Sequence, residues 1–152
     1  MRKQITRHAT FAVALLMLLS ALASAGTAQE MMDNKMDKMS KKGQPTVAII
    51  RADWCTVCQK LEPAMTELME QYKDRLNFVV LDVSNDEKTA ESAVTARKLG
   101  IGNFFEANKK KTSTVAIFGA KNKLLFKKYH DSERETFVRA FDDAIAKTSQ
   151  RG

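Results

Sequence analysis

Two short apolar runs separated by one amphipathic stretch constrain this chain more than any other feature of its 152 residues. TVAII, residues 46 to 50, is a run of β-branched and apolar side chains bounded by Pro45, short and continuous as a buried strand is. FVVLDV, residues 78 to 83, is a second such run, and its nearly unbroken apolar character predicts a central strand covered on both faces. Between them Leu61, Ala64, Met65, Leu68 and Tyr72 recur at spacings of three and four, which predicts a helix from residue 55 to about residue 73 with one apolar face. Strand, helix, strand requires a right-handed parallel crossover. Pro63 inside the helix predicts a kink.

Residues 86 to 99, DEKTAESAVTARKL, are strong helix formers with Ala90, Ala93 and Val94 on one side, and Gly100 and Gly102 end the pattern. NFFEANKKK, residues 103 to 111, offers either one further helical turn or a loop docked through Phe104, Phe105 and Ala107. TVAIF, the turn GAKNK and LLFKKY then read as an antiparallel hairpin over residues 114 to 129. Ser132 and Glu135 form a capping box ahead of a stripe of Phe137, Val138, Phe141, Ala144 and Ile145. The order βαβαββα predicts an α/β fold with a mixed four-stranded sheet and helices on both faces, in one domain over residues 45–150.

The first 25 residues stand apart from that domain. MRKQITRH supplies three Arg or Lys and no acid, and the apolar stretch at 11–22 falls short of the roughly 20 residues of a spanning helix. Ala23, Ser24 and Ala25 complete a secretory signal peptide, cleaved after Ala25 or Ala28, with an uncleaved anchor as the alternative. Cleavage predicts a soluble periplasmic or secreted protein without a stable membrane anchor. It also lowers the formal charge from +7 to +4 by removing Arg2, Lys3 and Arg7. Lys109, Lys110, Lys111, Lys121, Lys123, Lys127 and Lys128 lack interleaved aromatics, which favours a solvated face over a nucleic-acid surface. Residues 26–44, carrying Met31, Met32, Met36 and Met39, read as a linker or a short helix.

Both cysteines, Cys55 and Cys58, fall in RADWCTVCQKLEP, residues 51 to 63. Export would allow a structural disulfide, but a bridge across two intervening residues restrains little unfolded-chain entropy. Structural zinc needs about four ligands, and after the loss of His8 only His130 joins the two thiols. Cu(I) is less demanding, since two thiolates suffice and the thioethers of Met32, Met36 and Met39 suit it. Those methionines could equally cover a core edge or scavenge oxidants. A redox dithiol uses the position best. A strand ending before the pair and a helix starting with it put Cys55 at a helix N-terminus and Cys58 one turn on, with the sulfurs in bridging reach. There the unpaired N–H groups and the macrodipole favour a Cys55 thiolate, and Cys58 can resolve the mixed disulfide it forms.

The segment RADWCTVCQKLEPAMTELMEQY resembles the Trp-Cys-x-x-Cys active site and following helix of the thioredoxin family, and the likeness extends over residues 46 to 146. Pro63, five residues beyond Cys58, matches the family's helix-kinking proline. The resemblance implies a thioredoxin fold and a monomeric thiol-disulfide oxidoreductase without a cofactor, acting on protein or small-molecule disulfides together with a redox partner protein. It implies Cys55 as an exposed attacking thiol, Cys58 as the resolving thiol, and a substrate groove including Trp54, Ser113 and Thr114. Five departures accompany it. Ile49 replaces the buried acid six residues before the first Cys, and Val80 falls where a partner lysine is expected. Ser113 takes the place of the cis-proline, so Thr112 and Ser113 are joined either in trans or by a cis bond costing about 2.5 to 4 kcal/mol. Thr56 and Val57 match neither the Gly-Pro of reducing members nor the His of strong oxidants, and residues 103–111 read as an insertion beside the groove. Two alternatives follow: a periplasmic Cu(I) carrier using the dithiol with Met36 and Met39, and an interaction module with a redox-inactive dithiol. His130 reads as a strand-end cap rather than a base.

Overall fold

The structure, a computed structural model, describes residues 43–149. The signal-peptide segment and the stretch carrying Met31, Met32, Met36 and Met39 lie outside the described residues. In chain order the elements are β1 (Thr46–Arg51), α1 (Thr56–Tyr72), β2 (Asn77–Asp82), α2 (Asp86–Lys98), α3 (Gly102–Asn108), β3 (Thr114–Phe118), a 3-10 turn (Ala120–Asn122), β4 (Leu124–Tyr129) and α4 (Arg134–Ser149). They form one mixed four-stranded sheet in the order β2-β1-β3-β4, with β1 and β2 parallel and the other pairs antiparallel. The expected α/β architecture is present, with α3 as an added element.

Alternation along β1 and β3 divides the core into two layers. Val47, Ile49, Val115 and Ile117 point to one face, where Leu61, Met65, Leu68 and Tyr72 of α1 meet Phe137, Phe141 and Ala144 of α4. Ala48, Ile50, Ala116 and Phe118 point to the other, against Ala96 of α2, and Ile101 and Phe105 at α3. Helices therefore cover both faces. Tyr72 and Phe78 each meet Phe141 edge to face, adding directional contacts to the burial. α1 continues through Pro63, whose ring lies on the solvent side.

Three expectations are corrected. β2 is an edge strand among the described residues, not a central one, and Val80 is 44% exposed. Phe78, Val79 and Leu81 pack on the two layers, but a hollow separates α1 from Val80, so one apolar residue of the run stays uncovered. In α2 the buried residues are Ser92 and Ala96, with Ala93 half-buried, whereas Ala90 and Val94 are exposed. Small side chains let this helix lie close to the sheet, and the Ser92 hydroxyl donates to the Asp82 carbonyl at 2.8 Å. The capping box at Ser132 does not form, because α4 starts only at Arg134 and the Asp131 carboxylate accepts the Glu133 N–H at 2.7 Å.

The segment at 103–111 resolves as helix α3 followed by a turn. Phe105 is fully buried, Phe104 meets Phe118 edge to face, and the Asn108 side-chain amide donates to the Phe104 carbonyl at 2.8 Å. Gly100, at φ +73, makes the turn between α2 and α3 in a region that L side chains rarely adopt, and an added Cβ would collide with Asn122.

Candidate active site

β1 ends at Arg51 because the chain turns there: the Cys55 N–H donates to the Ala52 carbonyl at 3.1 Å, and Ala52 is buried beneath the turn. Cys55 is then the N-cap of α1, with extended dihedrals and its carbonyl accepting the Gln59 N–H at 3.0 Å. An N-cap side chain ordinarily offers oxygen to an orphan N–H of the first turn. Here Sγ of Cys55 takes that part, accepting the Cys58 N–H at 3.1 Å. The two residues are joined as a disulfide, with Cα atoms 5.2 Å apart.

Cys55 is 8% exposed and Cys58 6%, which corrects the expectation of an exposed attacker and a sheltered partner. Ala52, Val57 and Val83 pack around the closed pair. What separates the two sulfurs is the N–H directed at Cys55. Sequence placed Cys55 in the helix, whereas it stands one residue before it.

Trp54 is 64% exposed, with its indole N–H donating to the Ser84 carbonyl at 3.2 Å. One end of the ring is fixed and the rest is open beside the disulfide. The Asp53 N–H donates to the Ser84 hydroxyl at 2.9 Å, and the Gln59 amide donates to the Asp53 carbonyl at 2.7 Å, so the tip of the turn is held from both sides.

Ser113 settles the open question about its peptide. No cis bond occurs among the described residues, and Ser113 instead adopts φ +65. Its N–H donates to the Ile50 carbonyl at 2.8 Å and its carbonyl accepts the His130 N–H at 3.2 Å, so both backbone groups are engaged. The side chain is 2% exposed and its hydroxyl is unpartnered. Thr114 is buried at the start of β3, its hydroxyl donating to the Lys111 carbonyl at 2.6 Å; it supports the loop from beneath rather than lining a surface. His130 follows β4 at φ +60, as a strand-end residue.

Beside Cys58 lies a hollow of about 110 Å³ whose walls include Ile49, Leu61, Met65, Val80 and Ser113, with Arg51 and Glu62 at its polar side. Ile49 and Val80 are direct neighbours in the β1–β2 register, so the two departures read from sequence meet at one spot. Hydrocarbon stands on both strands.

Sequence reading missed a lattice of charges under the turn. Arg51 contacts Asp53 at 2.9 Å, Asp82 at 3.2 Å and Glu62 at 3.8 Å, and Lys88 contacts Asp53 at 3.1 Å and Asp82 at 3.3 Å. The Lys88 hydrogen bond, with help from Arg51, holds the Asp53 carboxyl below the usual range. Burial pushes Asp82 up, but hydrogen bonds from the Ser84 hydroxyl and N–H and from Lys88 outweigh it and keep its carboxyl low. Hydrogen bonds to Asp53 and Asp82 raise Lys88. The available signal was a charged residue at the end of each parallel strand, Arg51 and Asp82, which the crossover brings side by side. Among the described residues no group of three or more His, Cys, Asp or Glu is arranged to hold a metal ion.

The model of the family described as Thioredoxin matches residues 27–128. A chloroplastic thioredoxin-like protein of Oryza sativa subsp. japonica is 54% identical over 43 residues, which are 28% of this chain and 16% of that protein. The thiol:disulfide interchange protein TxlA homolog of Synechocystis is 42% identical over 45 residues, 30% of this chain and 25% of that protein. The matched segments thus span a quarter or less of these curated relatives. Among solved structures, a thioredoxin-like protein in its oxidized form shares 17% identity with a TM-score of 0.51, covering 68% of this chain and 79% of its own. The exposed lipoprotein thioredoxin of Streptococcus pneumoniae shares 16% with a TM-score of 0.51, covering 67% and 86%. Those two likenesses show the fold.

Proposed function

We propose that this chain, which belongs to the thioredoxin family, is an exported thiol-disulfide oxidoreductase in which Cys55 attacks and Cys58 resolves. One observation carries the reading: the disulfide sits at the start of α1 with the Cys58 N–H directed at Cys55 Sγ. In the reduced protein that N–H and the positive end of the helix favour negative charge on Cys55, the form that attacks a disulfide. The Cys55 thiolate displaces one sulfur of the substrate disulfide and forms a mixed disulfide. The Cys58 thiolate then attacks Cys55 Sγ, releases the second substrate thiol and closes the pair. Two electrons pass from the protein to the substrate, and a reduced partner reopens the pair for the next cycle; with the flow reversed, the same steps oxidise a dithiol.

The substrates proposed are protein or small-molecule disulfides, met across Trp54 and the Ser113 loop. Support for this chemistry comes from relatives named thiol:disulfide interchange proteins, and support for export comes from the signal-peptide pattern of residues 1–25. No helix among the described residues is long and apolar enough to cross a membrane. An insulin-reduction assay tests the reading: the wild-type chain turns over with a thiol reductant and Cys55→Ser does not, whereas turnover that survives Cys55→Ser overturns it. A second reading, Cu(I) carriage by Cys55 and Cys58 with Met36 and Met39, draws support from the Met-rich sequence of residues 31–39 and the paired cysteines. Equilibrium competition for Cu(I) by the reduced protein tests it, and no uptake ends it.

A further inference from the structure

We propose that Glu62 is the proton acceptor for the Cys58 thiol in the resolving step, reached through the hollow between α1 and the sheet. The inference rests on the exchange chemistry proposed above. Cys58 is nearly buried, and it must lose a proton before it can attack Cys55. Towards the sheet its surroundings are hydrocarbon, because Ile49 and Val80 occupy neighbouring positions on β1 and β2. Burial among such groups opposes formation of a thiolate. A base must therefore stand elsewhere.

Glu62 is four residues beyond Cys58 on α1, so both side chains lie on one helix face, and both line the same hollow. It contributes the only carboxylate among the described residues of that lining. The hollow that both residues line, at about 110 Å³, has room for more than one water. A second observation marks it as polar at one point: the Ser113 hydroxyl, buried and without a partner, belongs to the same wall. A water there can accept from Cys58 and donate to Glu62 while the Ser113 hydroxyl holds it. The other charged groups nearby are Arg51 from β1, 3.8 Å from the Glu62 carboxylate, and behind it Asp53, Asp82 of β2 and Lys88 of α2. His130, after β4, reaches the Ser113 loop through its backbone.

The step balances. The Cys58 proton passes to the Glu62 carboxylate, and the thiolate attacks Cys55 Sγ of the mixed disulfide. The bond from Cys55 to the substrate sulfur breaks as the Cys55–Cys58 bond forms, and the leaving thiolate is protonated from solvent while Glu62 returns its proton to water. The dithiol is oxidised by two electrons and the substrate disulfide is reduced by the same two.

Rapid mixing of the reduced full chain with an aryl disulfide tests this, because attack by Cys55 and closure by Cys58 each release one coloured thiolate. In Glu62→Gln the first phase keeps its wild-type rate, which also shows that the variant is folded. The second phase slows about 10-fold or more near pH 7, and the gap closes at alkaline pH where the thiol ionises unaided. Superimposed second phases, or slowing by the same factor at every pH, overturn the role of Glu62 while leaving the exchange reading intact. Absence of both phases in the wild-type chain overturns that reading and this inference with it.

Discussion

Ser113 separates backbone geometry from side-chain chemistry more sharply than any other residue near the disulfide. Its φ of +65 is strained for a residue with a Cβ, and its hydroxyl is buried without a partner. Ser113→Gly relieves the strained φ, and after allowance for the freer unfolded chain it should raise stability by about 1 kcal/mol, read from the denaturant midpoint. Ser113→Pro, which would restore the residue typical of the family, should instead lower stability by about 3 kcal/mol. The ring demands a negative φ, and the N–H that donates to Ile50 would be lost. Sequence showed that the proline was missing, but the sign of φ at a serine is set by the hydrogen bonds to Ile50 and His130, which join residues distant in the chain. Ile49 and Val80 were more legible, because two parallel strands in register convert sequence offsets directly into neighbours. Cys55 was legible in position and misjudged in exposure, since Ala52, Val57 and Val83 close over the pair only in the folded chain.

Among the elements, α3 gives the cleanest test of packing. Phe105 is fully buried between the helix and the sheet, so Phe105→Ala should cost about 3 to 5 kcal/mol in the denaturant midpoint, without altering which cysteine reacts first. The charge lattice gives a test with a defined pH sign. The Asp82 carboxyl is held below its ordinary value of 3.8, so its contribution is present above that value and is lost as pH falls through the lower folded value. Asp82→Asn should therefore cost about 1 to 2 kcal/mol at pH 7, and the difference from wild type should shrink in acid below pH 3.8. Element types were readable because strand runs and helical stripes have distinct periods. Their surroundings were not: an apolar run such as FVVLDV looks the same at a sheet edge as at its centre, and small residues such as Ser92 hide the buried face of α2. Ahead of α4 it is the Asp131 carboxylate that accepts the Glu133 N–H, in place of the cap expected from Ser132.

At the scale of the whole molecule, the fold brings a strand end, a helix start and a loop from the far side of the sheet to one place. The crossover aligns Arg51 with Asp82 below the turn, and the pairing of β3 with β1 sets Ser113 against the Ile50 carbonyl. The family resemblance implied that convergence, whereas the hollow beside Cys58 was not predictable, because it arises from the gap that α1 leaves over Val80. The most direct test of the exchange mechanism is peptide mapping, by mass spectrometry, of the adduct formed when the reduced full chain meets a disulfide substrate. In Cys58→Ser one mixed disulfide should accumulate, on Cys55, and Cys55→Ser should accumulate essentially none under the same conditions. Adducts forming equally on either cysteine, or on neither, would contradict a mechanism in which the N-cap sulfur attacks and its neighbour resolves.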